Sequence, residues 1–277
     1  MSAGSTDGMT ERSPTRIAVL GLGEAGSLIA ADLARSGARV SAYDPAGVST
    51  PDDVTRVEEP EEAVVGAHLV MAITPASASQ EVMSATVHAI EPPTVYADLA
   101  TAAPGLEVAL ASTAAEKGLP FADVALMAPV PGHGLAVPSL ASGSGAARYE
   151  EMVNALGGDV VAIGDAPGHA SARKLMRSIV TKGLGALLME SMDLAHAYDD
   201  TDWLWQHLVA ELGAVDEGFM KRLLEGPARH AGRRLEEMEA VAELLADQGL
   251  DASMTQAVIE RLGMVLADGL PEHLARR

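Results

Sequence analysis

Residues 16–44 read RIAVLGLGEAGSLIAADLARSGARVSAYD, and their order decides the fold. A short apolar strand (Ile17, Ala18, Val19, Leu20) runs into GLGEAG. A small-residue helix follows, Leu28 to Arg35 closed by Gly37, and a second strand, Arg39 to Tyr43, ends on an acid. This is the order a dinucleotide site needs. Gly21 permits the tight turn from strand to helix, Gly23 lets the backbone approach a pyrophosphate, and Gly26 lets the helix lie close against the sheet. The unpaired N–H groups and positive dipole end of the helix then face the phosphates. G-x-G-x-x-G alone is a weak signal, an ordinary glycine-rich turn being the plain alternative. The strand before it, the helix after it and Asp44 at the expected distance of about 20 residues supply the context the motif requires. The expected cofactor contacts are therefore Gly21, Leu22, Gly23, Glu24, Ala25, Gly26 and Asp44. The Asp44 carboxylate suits an adenosine ribose and repels a 2′-phosphate, so between NAD and NADP the expectation is NAD.

Outward from this unit, short β-rich runs alternate with amphipathic stretches as far as residue 165, the pattern of a parallel sheet with helices on both faces. Strands are expected at 16–20, 38–43, 68–74, 94–99, 120–126, 139–142 and 159–163. Helices are expected near 24–36, 60–66, 76–89, 104–117 and 146–156. Past Gly168 strands nearly vanish. Residues 169–198 form one helical stretch that would span about 45 Å, too long for one small domain and suited to joining two. Further helices are expected at 202–212, 215–224, 227–248 and 253–266. The fold class expected is α/β: a disordered tail over 1–14, a doubly wound Rossmann-type domain over 15–165, and an all-helical substrate and dimerisation domain over 166–277, joined by a long interdomain helix.

With 277 residues and 48% apolar residues the chain can build real cores, although aromatics are only 3%. A formal charge of −20 repels nucleic acid and anionic membrane surfaces, so neither is an expected partner. The absence of cysteine excludes disulfides and thiolate chemistry. No signal core or transmembrane stretch is evident, which makes the cytoplasm the expected location. No pair of histidines has H-x-x-x-H spacing, and no metal is expected.

Four further segments fall where the C-terminal ends of parallel strands converge on a cofactor crevice. They are Thr74-Pro75, Asp98-Leu99-Ala100-Thr101 with Pro104, the run Pro129-Val130-Pro131-Gly132-His133-Gly134, and Lys174 early in the long helix. Each has a plain alternative as a helix cap, a turn or a solvated helix residue.

Taken in order they resemble the β-hydroxyacid dehydrogenase family, which includes 6-phosphogluconate and 3-hydroxyisobutyrate dehydrogenases, over most of residues 16–198. GLGEAG matches that family's cofactor fingerprint. DLATAAP (98–104) is similar to its D-x-S-T-x-x-P, with Ala100 in place of serine and Thr101 retained. PVPGHG is similar to its substrate loop P-V-S-G-G, with Pro131 in place of serine, Gly132 kept and His133 added. GHASARKLMRS supplies the Gly168, Ala170 and Lys174 of G-x-G-x-x-x-K-x-x-x-N, with Ser178 in place of asparagine.

The resemblance implies that Lys174 is the acid–base residue, that Thr74, Pro75 and Thr101 border the cofactor, and that Thr101, Pro131, Gly132, His133 and Ser178 contact substrate. Lys174 is chemically suited, because burial beside a cofactor brings a lysine toward neutrality. In the C-terminal half, His230, Arg233, Arg234 and Glu237 fall on one stripe at three- and four-residue steps. They are either a closing wall over the substrate, with His230 and Arg234 as contacts, or a solvated helix face.

The activity this implies is an NAD(P)-dependent interconversion of a small hydroxy acid, carrying a carboxylate, and its carbonyl form. An imine reductase on the same fold and a non-catalytic NAD-sensing or scaffold protein are the alternatives. A homodimer is expected, because the helical half would otherwise leave apolar surface uncovered.

Overall fold

In the computed structural model, which describes residues 14–275, eight strands form one sheet in the order β3-β2-β1-β4-β5-β6-β7-β8. They are β1 (Arg16–Leu20), β2 (Arg39–Tyr43), β3 (Val54–Arg56), β4 (Leu69–Ala72), β5 (Val95–Asp98), β6 (Phe121–Leu126), β7 (Ser139–Ser142) and β8 (Val160–Ala162). Between them run α1 (Glu24–Arg35), α2 (Pro60–Val64), α3 (Ser79–Thr86), α4 (Pro104–Glu116) and α5 (Ala146–Asn154). The tail expected over 1–14 lies, but for Pro14, outside the described residues.

Alternation along β1 divides the core. Ile17 and Val19 join Leu33, Val40 and Val124 on one face, while Ala18 and Leu20 join Val70, Tyr96 and Phe121 on the other. Both faces of the strand are buried, as helices on both sides of a parallel sheet require. The strand order reverses between β1 and β4, and the crevice outside the strand ends at that point is where such sheets take their ligands.

Two features of the sheet differ from the reading of the sequence. The edge strand β3 was not expected, because three residues, two part-buried and one exposed, with an arginine among them carry no apolar pattern. Strand β7 pairs antiparallel with β6. The connection between them is a Pro/Gly loop holding only a 3₁₀ turn (Gly134–Ala136), and without a crossover helix the chain returns the other way.

The described chain divides into two compact units, one through Arg177 and one from Ser178. The boundary falls inside α6 (His169–Ala197), so the first turns of that helix belong with the sheet. The second unit continues with α7 (Thr201–Gly213), α8 (Glu217–Asp247), α9 (Ser253–Asp268) and α10 (Glu272–Ala275).

The two helices expected at 215–224 and 227–248 run end to end as α8, which carries Pro227 and is two helices joined across a kink. The helical geometry breaks three residues later, at His230 (φ −138°, ψ 30°). Within this unit Glu190 accepts from the N–H groups of Met254 (2.8 Å) and Thr255 (2.9 Å) and from the Thr255 hydroxyl (2.6 Å), capping α9. Among the described residues no helix is long and apolar enough to cross a membrane.

Candidate functional site

The turn from β1 to α1 is built without slack. Gly21 has φ +104°, and a Cβ there would run into the Ile73 carbonyl. A Cβ at Gly26 would overlap the Gly21 carbonyl oxygen, so glycine at 26 is what lets α1 start this close to the strand. Gly23 is different, because a Cβ there meets no protein atom within 4 Å. It is also the N-cap of α1, with no side chain capping the helix. The start of α1 is thus uncapped by any side chain of its N-cap residue and has open space beside Gly23, a cradle suited to an anionic phosphate.

Asp44 fastens this turn from the other side. Its Oδ2 accepts from the Leu22 N–H and its Oδ1 from the Ala46 N–H, both at 2.7 Å. Arg56 then shapes the loop that follows β2 by donating to the carbonyls of Asp44, Ala46 and Val48, each at 2.7 Å.

Two clefts, each about 420 Å³, share the residues Gly23, Ile73, Thr74 and Pro75. One extends past Gly21, Tyr43, Asp44 and Glu81, and among the described residues no Lys or Arg lines it. The other extends past Glu24, Ala25, Gly26, Leu99, Thr101 and Lys174. A ligand with two unlike ends joined by phosphates fits this plan: one end beside Asp44, the joint at Gly23, the other end beside Thr101 and Lys174.

Lys174 reaches the cleft because of Asp123, which is fully buried on β6. The Asp123 carboxylate accepts from the hydroxyls of Ser171 (2.6 Å) and Ser142 (2.9 Å) and from the N–H groups of Ala170 and Ser171 (both 3.1 Å). It is thus an N-terminal cap delivered from the sheet, where a negative charge is favoured by the helix dipole. Arg177 donates to the Met127 carbonyl, tying the same helix to the loop after β6.

Two other buried acids lie beside Asp123. Asp98 ends β5 and is the register partner of Asp123 on the neighbouring strand. Its Oδ1 accepts from the Ala100 N–H at 2.8 Å. Glu107 comes from α4 and is also fully buried. Burial first, and then the Asp98 and Asp123 carboxyls, push the Glu107 carboxyl up to about 9. Burial likewise raises Asp98 to about 6, Asp123 adding to it while the Ala100 N–H and the nearby Ser79 hydroxyl pull the other way.

Of the residues expected at the site, Gly21 to Gly26, Asp44, Thr74, Pro75, Thr101 and Lys174 are brought together. Leu22 contributes its N–H from a buried position. Pro131, Gly132 and His133 are not among the residues lining either cleft. They are exposed, His133 Nδ1 lies 3.0 Å from the Pro129 carbonyl, and the loop is pinned to α1 by the Leu135 N–H donating to Asp32 (2.7 Å).

Ser178, His230 and Arg234 belong to the second unit. The expected stripe of His230, Arg233, Arg234 and Glu237 is interrupted, because His230 sits at the break in α8 and the Arg234 guanidinium packs against Gly226 across the bend. Asp123, Glu107 and Arg56 were not singled out in the sequence, and Asp98 was marked only as the first residue of DLATAAP. The one available signal was an acid inside the apolar strand FADVAL.

Known proteins agree with this geometry. The family described as NAD binding domain of 6-phosphogluconate dehydrogenase matches residues 16–163, and the Domain of unknown function (DUF1932) matches 195–265. A conserved hypothetical protein from Sinorhizobium meliloti 1021 is similar at 28% identity, covering 92% of this chain and 89% of its own, with a TM-score of 0.59. A conserved protein of unknown function, described as structurally similar to 3-hydroxyacid dehydrogenases, has 25% identity over 92% of this chain and 100% of its own, with a TM-score of 0.59. An imine reductase from Pseudomonas sp. shares the fold with a TM-score of 0.76 at 18% identity, covering 95% of this chain and 99% of its own. No curated protein matches the sequence.

The two glycines separate folding from binding. Gly26→Ala is expected to lower the melting temperature, whereas Gly23→Ala should melt close to wild type yet lose at least about tenfold in NADH affinity, because its methyl group takes the space of the pyrophosphate. Thermal unfolding and fluorescence titration with NADH measure both.

Proposed function

Since the chain belongs to the β-hydroxyacid dehydrogenase family, through the NAD-binding domain of 6-phosphogluconate dehydrogenase, we propose that it is an NAD(H)-linked oxidoreductase interconverting a small hydroxy acid and its carbonyl form. The observation that carries this reading is Lys174 in the same cleft wall as Gly23, Gly26 and Thr101. When bound, the nicotinamide supplies or takes up a hydride.

The residues of the chain do the rest. The uncapped N-terminus of α1 holds the pyrophosphate, and Asp44 meets the adenosine ribose. Leu99 and Leu126 give the cleft beside Lys174 an apolar wall. The Lys174 ammonium gives its proton to the substrate oxygen as a carbonyl is reduced, and the amine takes it back on oxidation. Asp123 fixes the helix turn that carries this lysine, so the proton donor is oriented before substrate arrives.

The cleft beside Asp44 and Glu81 has acids and no cation among its lining residues, which supports NAD over NADP. Steady-state kinetics should give a lower KM for NADH than for NADPH, and a preference for NADPH would overturn this assignment of Asp44.

Lys174→Met keeps length and an apolar stem but removes the exchangeable proton. Turnover on a panel of keto acids, aldehydes and imines should fall at least about a hundredfold while NADH affinity changes little. Near-normal turnover in that variant rejects the lysine mechanism. Activity confined to imines favours reductive amine chemistry on the same fold, and none with any panel member favours a binding protein.

We further propose a homodimer. Large apolar side chains on α6 and α7 are exposed in the second unit, among them Ile179 (77%), Met189 (66%) and Trp203 (62%). The same unit has an apolar groove of about 520 Å³ between Leu184, Trp203, Leu204 and Met238. A patch of this kind calls for a cover, and two-fold pairing is the commonest closed solution. Sedimentation should show a dimer, and a monomer at all concentrations would reject it.

A further inference from the structure

Three carboxyl groups meet at the C-terminal edge of β5 and β6, and their hydrogen-bond donors are shared unequally. Asp123 accepts from two hydroxyls and two N–H groups. Asp98 accepts from one N–H, and its Oδ2 has no partner among the described residues. Both oxygens of Glu107 are likewise without one.

A negative charge settles where donors converge, which is Asp123. A second or third charge in the same buried cluster would meet both the loss of hydration and the repulsion of the first. Glu107 has no donor of its own, so it stays a neutral acid at pH 7. A neutral carboxyl carries one O–H to donate, and Asp98, a buried acceptor with the Ser79 hydroxyl as the other donor nearby, can take it on Oδ2. Asp98 in turn holds the Ala100 N–H, at the centre of the Leu99–Thr101 wall that borders the Lys174 cleft.

We propose that Glu107 is a positioning residue: as a neutral carboxylic acid it donates its proton toward Asp98, and through the Asp98–Ala100 hydrogen bond it keeps the Leu99–Thr101 wall in its cofactor-binding geometry. This rests on the cofactor reading of the cleft. The titratable groups that face Glu107 are Asp98 and Tyr96 of β5 and Asp123 of β6, while α3 presents only the hydroxyls of Ser79 and Thr86 to this cluster. Burial, then Asp98 and Glu107, raise the Tyr96 hydroxyl, so it stays neutral through the same pH range.

Two measurements on the whole chain test this, with NADH as the probe. Folding holds Glu107 protonated to about 9, against an ordinary 4.5. The stability linked to its proton is therefore complete below pH 4.5 and is lost as pH rises toward 9. Between pH 5 and 9 the melting temperature of the wild type should fall relative to that of Glu107→Gln, which cannot ionise.

NADH affinity in the wild type should hold to near pH 9 and then drop by about tenfold for each further pH unit, as the protonated fraction drops. In Glu107→Gln, whose amide still donates to Asp98, it should not show this step. Glu107→Leu should bind NADH more weakly at every pH.

Wild-type affinity that stays level to pH 10, or that declines in parallel in the wild type and the Gln variant, overturns the role of Glu107 and leaves the cofactor site standing. The wild-type profile decides this even where a variant does not fold. Failure of the wild type to bind NADH at pH 7 overturns the cofactor reading, and this inference with it.

Discussion

One buried carboxylate underlies the arrangement of the cleft. Asp123 is fully buried on β6 and accepts from four donors, three of them supplied by the first residues of α6. Hydrogen bonds to a charged group contribute about 1.5–3 kcal/mol each, several times a typical surface ion pair. The start of the long helix is therefore fixed to the sheet with little freedom. Lys174, one turn further along, inherits that placement, as does Arg177, which holds the loop after β6. Removing the acid would strand buried N–H and hydroxyl groups, a cost that falls on the very turn the chemistry uses.

The cofactor half was legible because its constraints are local. Gly21, Gly23 and Gly26 are dictated by backbone geometry within a few residues, and Asp44 follows from the length of one helix and one strand. The cleft residues Thr74, Thr101 and Lys174 were legible through likeness to a family, since nothing in their own surroundings distinguishes them from caps or solvated side chains. Asp123 and Glu107 escaped notice for the opposite reason. The meaning of Asp123 depends on contacts 19 to 48 residues away, with Ser142 and Ser171, that no periodicity reveals. In α8 the proline signalled a break between two helices, and the structure has one, but at His230, three residues beyond Pro227.

The loop after β6 shows how fold and family can part. Its residues resemble a substrate loop, and Gly132 and Gly134 both take the positive φ that such a turn demands. Asp32 of α1 fixes it by accepting the Leu135 N–H, and a side chain at 134 would strike that same carboxylate. His133, the one unusual residue of the loop, is exposed and faces the Pro129 carbonyl of the same loop.

The uncapped start of α1 has a bearing on how a dianionic ligand can approach a chain of formal charge −20. At a distance the net field of the molecule repels it, and the Arg56 guanidinium beside the Asp44 loop is committed to three backbone carbonyls. Attraction begins only at contact, where peptide dipoles take over. These two regimes respond differently to ions in solution: at 0.1 M salt the Debye length is about 10 Å, which damps the distant repulsion and leaves the contact dipoles nearly untouched. Added salt therefore speeds the encounter with a phosphate-bearing ligand, the reverse of what a lysine- or arginine-lined pocket experiences.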